Sequence, residues 1–253
     1  MISKNIIAIL SLLVCTISNA QIFESDTLNS VLDCNPTPHT LVIFDIDNTL
    51  AHPIEEFGSD EWFCHEVNKK MSFGNDYITS IYYALPATFY AQFNIPLELI
   101  ESTTPELIQY LIDNGIAVMA LSTRSLFIAE RTLDQLNQIN IHFFIPTVDH
   151  HDLVLPMHHP CFYKQGILFG GNNDKGEALA FFFDIMNYHP EKVIFVDDKM
   201  KYLLSVEEAL TKRNIIFYGI RFSGCDERVK NFDPEQAKIQ YRALKEKNGW
   251  SVH

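Results

Sequence analysis

Four short, continuous runs of apolar residues mark the chain, and each run ends at a polar residue. The runs occupy positions 41–44, 116–121, 193–196 and 215–220, and the residues that follow them are Asp45, Ser122, Asp197 and Arg221. Short runs rich in β-branched residues are typical of strands buried on both faces, as in a parallel sheet. The pattern therefore predicts a parallel sheet with polar side chains at the carboxyl ends of its strands.

Helical patterns separate these runs. Thr104, Pro105 and Glu106 supply a cap, a first-position proline and an acidic first turn, and Gly115 closes the same helix. Further helices are predicted over 125–137, over 176–187 and around 203–210. The alternation of strands and helices predicts an α/β fold with a doubly wound, three-layer, Rossmann-like parallel sheet. In such folds ligands bind beyond the carboxyl ends of the strands.

Two segments do not fit the alternation. Residues 52–103 are rich in aromatic side chains, and they predict a small, mostly helical cap inserted after the first strand. Residues 142–173 are rich in histidine, proline and glycine, and they predict an irregular lobe or a hairpin. We therefore expect an N-terminal extension over 21–39 and one large domain over 40–253 that contains both segments.

The first twenty residues have the features of a secretory signal peptide. Lys4 precedes an apolar stretch over 6–17, and the small residues Ser18 to Ala20 form a cleavage site. An uncleaved anchor is the alternative, but a membrane span needs about 20 apolar residues. A lipoprotein signal at Cys15 fits less well, because Val14 stands where a small residue is expected. We expect cleavage after Ala20, no stable membrane insertion afterwards, and a secreted or periplasmic protein.

Removal of residues 1–20 leaves four cysteines, which are Cys34, Cys64, Cys161 and Cys225. An oxidising compartment permits one or two disulfides among them, with three possible full pairings. Free thiols are equally consistent with the sequence, because a chain of this length can build a core without covalent links. The sequence does not choose between these alternatives.

The charge balance restricts the class of partner. Lysine and arginine total 19 against 32 acidic residues, which gives a net charge of −13. Nucleic acids and anionic membranes select clustered cations, so neither is expected as a partner. A local cationic pocket for a small anionic substrate remains compatible with this composition.

The strongest chemical signal is the pair Asp45 and Asp47 in the sequence DIDNT, directly after the first buried strand. Two carboxylates so close together repel unless a cation lies between them or they share a proton. Mg²⁺ suits such an oxygen-rich site and also binds phosphate. Asp45 can then attack phosphorus as a nucleophile, and Asp47 can protonate the leaving oxygen and later activate water.

Residues further along the chain supply what this chemistry lacks. Ser122, followed by Thr123, offers a hydroxyl and a loop amide to the phosphoryl oxygens, and Lys175 offers a fixed positive charge. Asp197 and Asp198 follow the third strand and offer further oxygens to the metal. Neutralisation of charge is the main requirement of phosphoryl transfer, so this set of groups predicts a phosphoryl-transfer site.

These signatures resemble, in kind and in order, those of the haloacid dehalogenase-like (HAD) superfamily phosphatases, and in particular their secreted bacterial members. The resemblance covers DIDNT at 45–49, the strand ending in Ser122, Lys175, and the pair Asp197 and Asp198, so it extends over about residues 40 to 220. It implies a HAD core with a cap inserted after the first motif.

The resemblance also implies a role for each motif residue. Asp45 would be the nucleophile and Asp47 the general acid and base, whereas Ser122, Thr123 and Lys175 would hold the phosphoryl group. Mg²⁺ would be bound by the Asp45 carboxylate, the Asp47 backbone carbonyl and the 197–198 pair. An acid two residues after the nucleophile is typical of the phosphatases and mutases of this superfamily.

The sequence thus predicts a Mg²⁺-dependent phosphomonoester hydrolase that acts on a small phosphorylated substrate outside the cytoplasm. One alternative is a phosphotransferase or mutase with the same aspartyl-phosphate, against which the signal peptide argues. The other is a non-catalytic secreted interaction protein that retains the fold. Intact acids at Asp45, Asp47 and Asp197 favour an enzyme over this second alternative.

Three weaker features have competing interpretations. Residues 149–152 with His158 and His159 form the densest group of metal-type ligands, but their spacing matches no zinc signature and favours a solvated loop. Cys64 beside His65 suggests a thiol nucleophile, but a buried or disulfide-bonded cysteine is the simpler interpretation. Arg124 can reach the substrate or pair with an acid at the rim of the sheet.

Overall fold

The computed structural model describes residues 20–146, 148 and 152–249. Of the predicted signal peptide over 1–20, residues 1–19 lie outside the described residues. So do Asp149, His150 and His151 of the histidine-rich segment.

The centre of the molecule is an eight-stranded sheet with the order β1-β10-β9-β2-β5-β8-β7-β6. The pairs from β1 to β8 are parallel, and the last two pairs are antiparallel. Its strands are β1 (Ala20–Ser25), β2 (Thr40–Phe44), β5 (Ala117–Ser122), β6 (Leu153–Leu155), β7 (Cys161–Lys164), β8 (Ile167–Phe169), β9 (Lys192–Asp197) and β10 (Ile216–Phe222). Two further strands, β3 (Ala51–Pro53) and β4 (Leu97–Leu99), form a separate antiparallel pair.

Helices cover both faces of the sheet, so the predicted three-layer α/β architecture is confirmed. One face packs against a 3-10 helix (Leu28–Cys34), α3 (Thr104–Asp113) and α4 (Ala129–Gln138), and the other packs against α5 (Lys175–Met186) and α6 (Met200–Thr211). Alternate residues of β2 point to opposite faces, with Val42 and Phe44 in one core and Leu41 and Ile43 in the other. This burial on both faces explains the continuous apolar runs.

For residues 142–173 the sequence left an irregular lobe and a hairpin as alternatives. These residues contain β6, β7 and β8, which extend the central sheet beyond β5. A hairpin joins β7 to β8 through Gln165 and Gly166, which have φ angles of 46° and 81°. Positive φ at both central residues is the geometry of the tight hairpin turn. The hairpin alternative is therefore the one that the structure supports for this part.

The segment 52–103 is mostly helical, as predicted. It contains α1 (Asp60–Ser72) and α2 (Tyr77–Asn94). Strands β3 and β4 flank this helical pair, and their residues Ala51 and Leu97 belong to the hydrophobic core. The short α7 (Asp226–Lys230) leads to α8 (Pro234–Lys247), whose Tyr241 ring packs 4.6 Å from the Phe57 ring beneath the cap. Among the described helices, none is both long and apolar enough to cross a membrane.

The N-terminal extension also contributes to the sheet. Strand β1 pairs in parallel with β10 over the whole length from Ala20 to Ser25. Gly219 of β10 lies directly against this strand, because a Cβ at that position would come within 2.9 Å of the Ile22 side chain. The sheet therefore begins before residue 40, at which the sequence analysis placed the start of the large domain.

Candidate active site

The predicted motif residues meet at the carboxyl ends of the central strands. Asp45 follows β2, Ser122 ends β5, Asp197 ends β9, and Lys175 begins α5. The parallel register of β2 with β5 and with β9 brings these three strand ends side by side. The site thus lies where an open α/β sheet normally binds its ligand.

Lys175 joins two of the acids. Its Nζ donates hydrogen bonds to Asp45 Oδ1 at 2.8 Å and to Asp197 Oδ2 at 2.7 Å. The lysine side chain is only 1% exposed. Burial alone would lower the pKa of Lys175, but the charges of Asp197 and Asp45 outweigh burial and raise it above the ordinary value. Lys175 is therefore a fixed cation at the centre of the site.

Three carboxylates gather beside this lysine. Asp45, Asp197 and Asp198 each offer an oxygen, and these oxygens all lie within 4.8 Å of one another. Burial, together with the neighbouring acids, raises the pKa of Asp45 to about 7 and that of Asp198 to about 8. Asp198 Oδ1 is buried without a hydrogen-bond partner among the described residues. Such a group has the composition and the unmet charge of a site for a hard divalent cation.

The Asp47 carboxylate is not part of that group, because it pairs with Arg124. Arg124 donates from Nε to Asp47 Oδ2 and from Nη2 to Asp47 Oδ1, both at 2.8 Å. Burial alone would raise the pKa of Asp47, but the charge and hydrogen bonds of Arg124 outweigh it and hold the pKa below its ordinary value. Of the two roles considered for Arg124, the structure shows the pairing with an acid.

The loop after β5 places the predicted phosphate ligands. Ser122 is buried, and its Oγ accepts a hydrogen bond from the Arg124 backbone N–H at 3.1 Å. The neighbouring residue Thr123 is exposed. The backbone of this loop is held by the Gly170 N–H, which donates to the Ser122 carbonyl at 2.8 Å. Ser122 therefore ends the strand, and Thr123 begins the loop that follows it.

Contacts that the sequence analysis did not identify join the first motif and the loop after β9 to each other and to the cap. Asn48 adopts a left-handed conformation with φ 60°, and its Nδ2 donates to Glu61 Oε1 of α1 at 2.5 Å. Lys199 Nζ donates to Asp60 Oδ2, also of α1, at 2.6 Å. Thr49 Oγ1 accepts from the Asp198 backbone N–H at 3.2 Å. An asparagine inside a tight loop is a signal of the left-handed conformation, but the partners are distant in sequence.

Comparison with known proteins assigns the chain to a family. Residues 22–250 match the family described as "Protein of unknown function (DUF2608)". The chain belongs to this family.

Relatives of this DUF2608 protein include proteins from Chlamydia and Rickettsia. A Chlamydia trachomatis protein named "Putative outer membrane protein" is 29% identical over 200 residues, which cover 79% of this chain and 75% of the relative. A Chlamydia muridarum protein of the same name is 27% identical, again over 79% of this chain and 75% of the relative. "Uncharacterized protein RP296" of Rickettsia prowazekii is 26% identical over 98% of this chain and 94% of its own length.

The solved structures that match include two hydrolases, both at 14% sequence identity and a TM-score of 0.41. One is a haloacid dehalogenase-like family hydrolase from Streptococcus pneumoniae, with 77% of this chain and 98% of that chain covered. The other is a HAD family hydrolase from Salmonella enterica serovar Typhi, with 80% of this chain and 74% of that chain covered.

The weaker candidates of the DUF2608 chain have surroundings of different kinds. His158 and His159 are exposed, and their rings lie 4.6 Å from each other. Cys64 is exposed as a residue, but partial desolvation of its thiol, together with the nearby Asp60, raises the pKa of the thiol to about 11. The His65 ring faces Phe232 at 5.9 Å. All four cysteines after residue 20 are free thiols, so the structure contains none of the possible disulfides among them.

Proposed function

We propose that this protein is a Mg²⁺-dependent phosphomonoester hydrolase that acts through an aspartyl-phosphate on Asp45. The observation that supports this proposal is the buried contact of Lys175 with Asp45 and Asp197, beside the third acid Asp198. A nucleophilic carboxylate, a fixed cation and a cation site within one cluster are the groups that phosphoryl transfer requires.

The residues present fit a divalent cation. Asp45, Asp197 and Asp198 would hold it, since their oxygens converge and Asp198 Oδ1 is buried without a partner among the described residues. Oxygen ligands of this kind are those that Mg²⁺ prefers. When bound, the ion would neutralise charge on the carboxylates and on the phosphoryl oxygens, as Mg²⁺ does at other phosphoryl-transfer sites.

The chain's own residues divide the reaction into two steps. Lys175 fixes Asp45 by one carboxylate oxygen, and Asp45 attacks phosphorus while the bond between phosphorus and the leaving oxygen breaks. Arg124 holds Asp47 ionised in the free protein, so Asp47 takes up a proton from solvent before it gives that proton to the leaving oxygen. In the second step Asp47 takes a proton from water, which attacks phosphorus and releases Asp45 and inorganic phosphate. Ser122 and Thr123 lie on the loop that would orient the phosphoryl oxygens.

We further propose that the protein acts outside the cytoplasm on a small phosphorylated substrate. The N-terminal sequence with its cleavage site after Ala20 supports this proposal. The names of the chlamydial relatives, which describe outer membrane proteins, point to the same compartment. The net charge of −13 disfavours nucleic acid as a substrate, and the cluster of charged groups around Lys175 is the proposed place for one phosphate.

Steady-state hydrolysis of a panel of phosphomonoesters by purified residues 21–253 tests the proposal. We expect phosphate release with Mg²⁺ and its loss with EDTA, and a fall in kcat of about a thousandfold or more in Asp45→Asn. Asp184→Asn is the matched control, because Asp184 is an exposed acid that pairs with Arg213 on the surface. Undiminished activity in Asp45→Asn would refute the mechanism, and transfer of phosphate to an added alcohol in preference to water would favour a phosphotransferase.

Binding of the metal can be measured without turnover. We expect Mg²⁺ to raise the Tm of the wild-type protein, because an ion that binds only the folded state stabilises it by mass action. Asp198→Asn should abolish this rise. A rise in Tm of equal size in Asp198→Asn would place the ion elsewhere.

A further inference from the structure

We infer that Gln135 is a positioning residue that connects the cap to Asp47 through Arg124. This inference rests on the proposed function, because it assigns to Asp47 the transfer of a proton to the leaving oxygen. The structural link itself consists of hydrogen bonds made by the buried side chains of Arg124 and Gln135, and it can be tested independently of activity.

The first part of the link is the guanidinium of Arg124, which is buried and held on two sides. Besides its two hydrogen bonds to Asp47, its Nη1 donates to Gln135 Oε1 at 3.0 Å and to Thr132 Oγ1 at 3.3 Å. Thr132 and Gln135 lie three residues apart on α4 and so share one face of that helix. The guanidinium fork is therefore fixed in its plane, and its orientation sets that of the Asp47 carboxylate.

The second part of the link joins Gln135 to the cap. Gln135 Nε2 donates to the carbonyl of Ile95 at 2.7 Å and to the carbonyl of Gln92 at 3.1 Å. These carbonyls belong to the last turn and the C-cap of α2, where a helix has no backbone donors of its own. The Gln135 amide thus donates to free carbonyls at the end of α2 and also accepts a hydrogen bond from Arg124, the residue that orients Asp47.

The direction of the Gln135 amide follows from its partners. Its oxygen faces a guanidinium, which only donates, and its nitrogen faces two carbonyl oxygens, which only accept. The reverse orientation would place donor against donor and acceptor against acceptor. Gln135 is only 1% exposed, so water cannot replace the lost hydrogen bonds. The amide is therefore locked in one orientation.

Gln135→Met tests the inference, since methionine has a similar length but neither hydrogen-bonding group. Gln138→Met is the matched control, because Gln138 is exposed on the same helix. Both variants are assayed on an aryl phosphate, whose leaving oxygen needs no proton, and on an alkyl phosphate, whose leaving oxygen does. We expect kcat on the alkyl phosphate to fall about tenfold further than kcat on the aryl phosphate, with KM little changed.

A structural role alone would lower kcat for both substrates by the same factor, and that result would overturn the inference. If the wild type hydrolyses neither substrate, the proposed function fails, and a double-mutant cycle still tests the link. Unfolding in urea is measured for Gln135→Met, Asp47→Asn and the double variant. We expect their effects on the unfolding equilibrium constant to differ from additivity by about fivefold. Additive effects would show that the cap and Asp47 are not linked.

Discussion

Arg124 and Arg213 each hold an aspartate with two hydrogen bonds, but the two pairs differ in burial. The Arg124 side chain is 3% exposed and the Arg213 side chain 29%, whereas their hydrogen bonds to Asp47 and Asp184 are of similar length. An exposed ion pair contributes little to stability, because water and salt screen it. The pair between Arg124 and Asp47 is buried on the arginine side, so the planar geometry of its hydrogen bonds fixes the position of Asp47 in the site.

Replacement of each arginine by lysine separates charge from geometry. We expect Arg124→Lys to lower kcat about tenfold to a hundredfold, because a lysine ammonium cannot make the planar fork to Asp47. It should also lower the free energy of unfolding by about 1–3 kcal/mol, since buried acceptors on Thr132 and Gln135 lose their donor. Arg213→Lys should change neither quantity measurably. Steady-state kinetics and urea unfolding check both, and equal effects at the two sites would contradict this interpretation.

At the residue scale, the sequence predicts which residues lie in the site better than it predicts which side chains they contact. Asp45, Ser122 and Asp197 were located because each ends an apolar run, which is a local signal. Arg124 was assigned two possible partners, and the actual partner, Asp47, lies 77 positions earlier in the chain. Gln135 carries no local signal at all, since its contact with Ile95 spans 40 positions. Contacts of this range depend on how the elements pack.

At the element scale, helices α5 and α6 approach each other closely at Gly176, directly beside Lys175. A Cβ at this position would come within 2.2 Å of the Ser205 carbonyl oxygen on α6. The Gly176 N–H donates to Ser205 Oγ at 2.9 Å, which fixes the start of α5 and with it the backbone of the lysine. The absence of a side chain at Gly176 is thus a requirement of the packing that positions Lys175.

Gly176→Ala tests this requirement. We expect it to lower the free energy of unfolding by about 1–3 kcal/mol, because the helices must move apart to admit the methyl group. The higher helix propensity of alanine would act in the opposite direction by only about 1 kcal/mol. Glu177→Ala is the control on the neighbouring exposed position and should change stability by about 0.5 kcal/mol or less. Urea unfolding measures both variants, and a more stable Gly176→Ala protein would show that the contact is loose.

Elements of three or four residues were beyond the sequence analysis. Strands β6, β7 and β8 are too short to show a period, and Pro156 and Pro160 interrupt the segment that contains them. The four long apolar runs, in contrast, all form strands of the central sheet, as predicted. The sheet edge formed by β6 to β8 exists because Tyr163 and Leu168 can pack against the core built by the longer strands. Tertiary packing, which a local pattern does not contain, decides such elements.

At the scale of the whole molecule, the C-terminal helix α8 closes the underside of the cap. Phe57, Trp62 and Ile95 of the cap segment form one buried cluster with Ala237 of α8, and Tyr241 packs against it. Tyr90 of α2 donates from its hydroxyl to the Leu244 carbonyl at 3.2 Å. The cap therefore contacts the first motif, Gln135 and α8, and these three contacts fix its position on the core.

Tyr241→Ala tests whether α8 supports the cap. We expect a loss of about 2 kcal/mol in the free energy of unfolding, because the partly buried ring contacts Phe57 at 4.6 Å and Tyr90 at 6.2 Å. Tyr110→Ala on the exposed face of α3 is the control and should cost about 0.5 kcal/mol or less. Hydrogen exchange locates the effect, since a loosened cap should exchange the backbone amides of α2 faster while β2 and β9 keep their protection. If the amides of the central strands exchanged faster to the same degree, α8 would be stabilising the whole fold and not the cap.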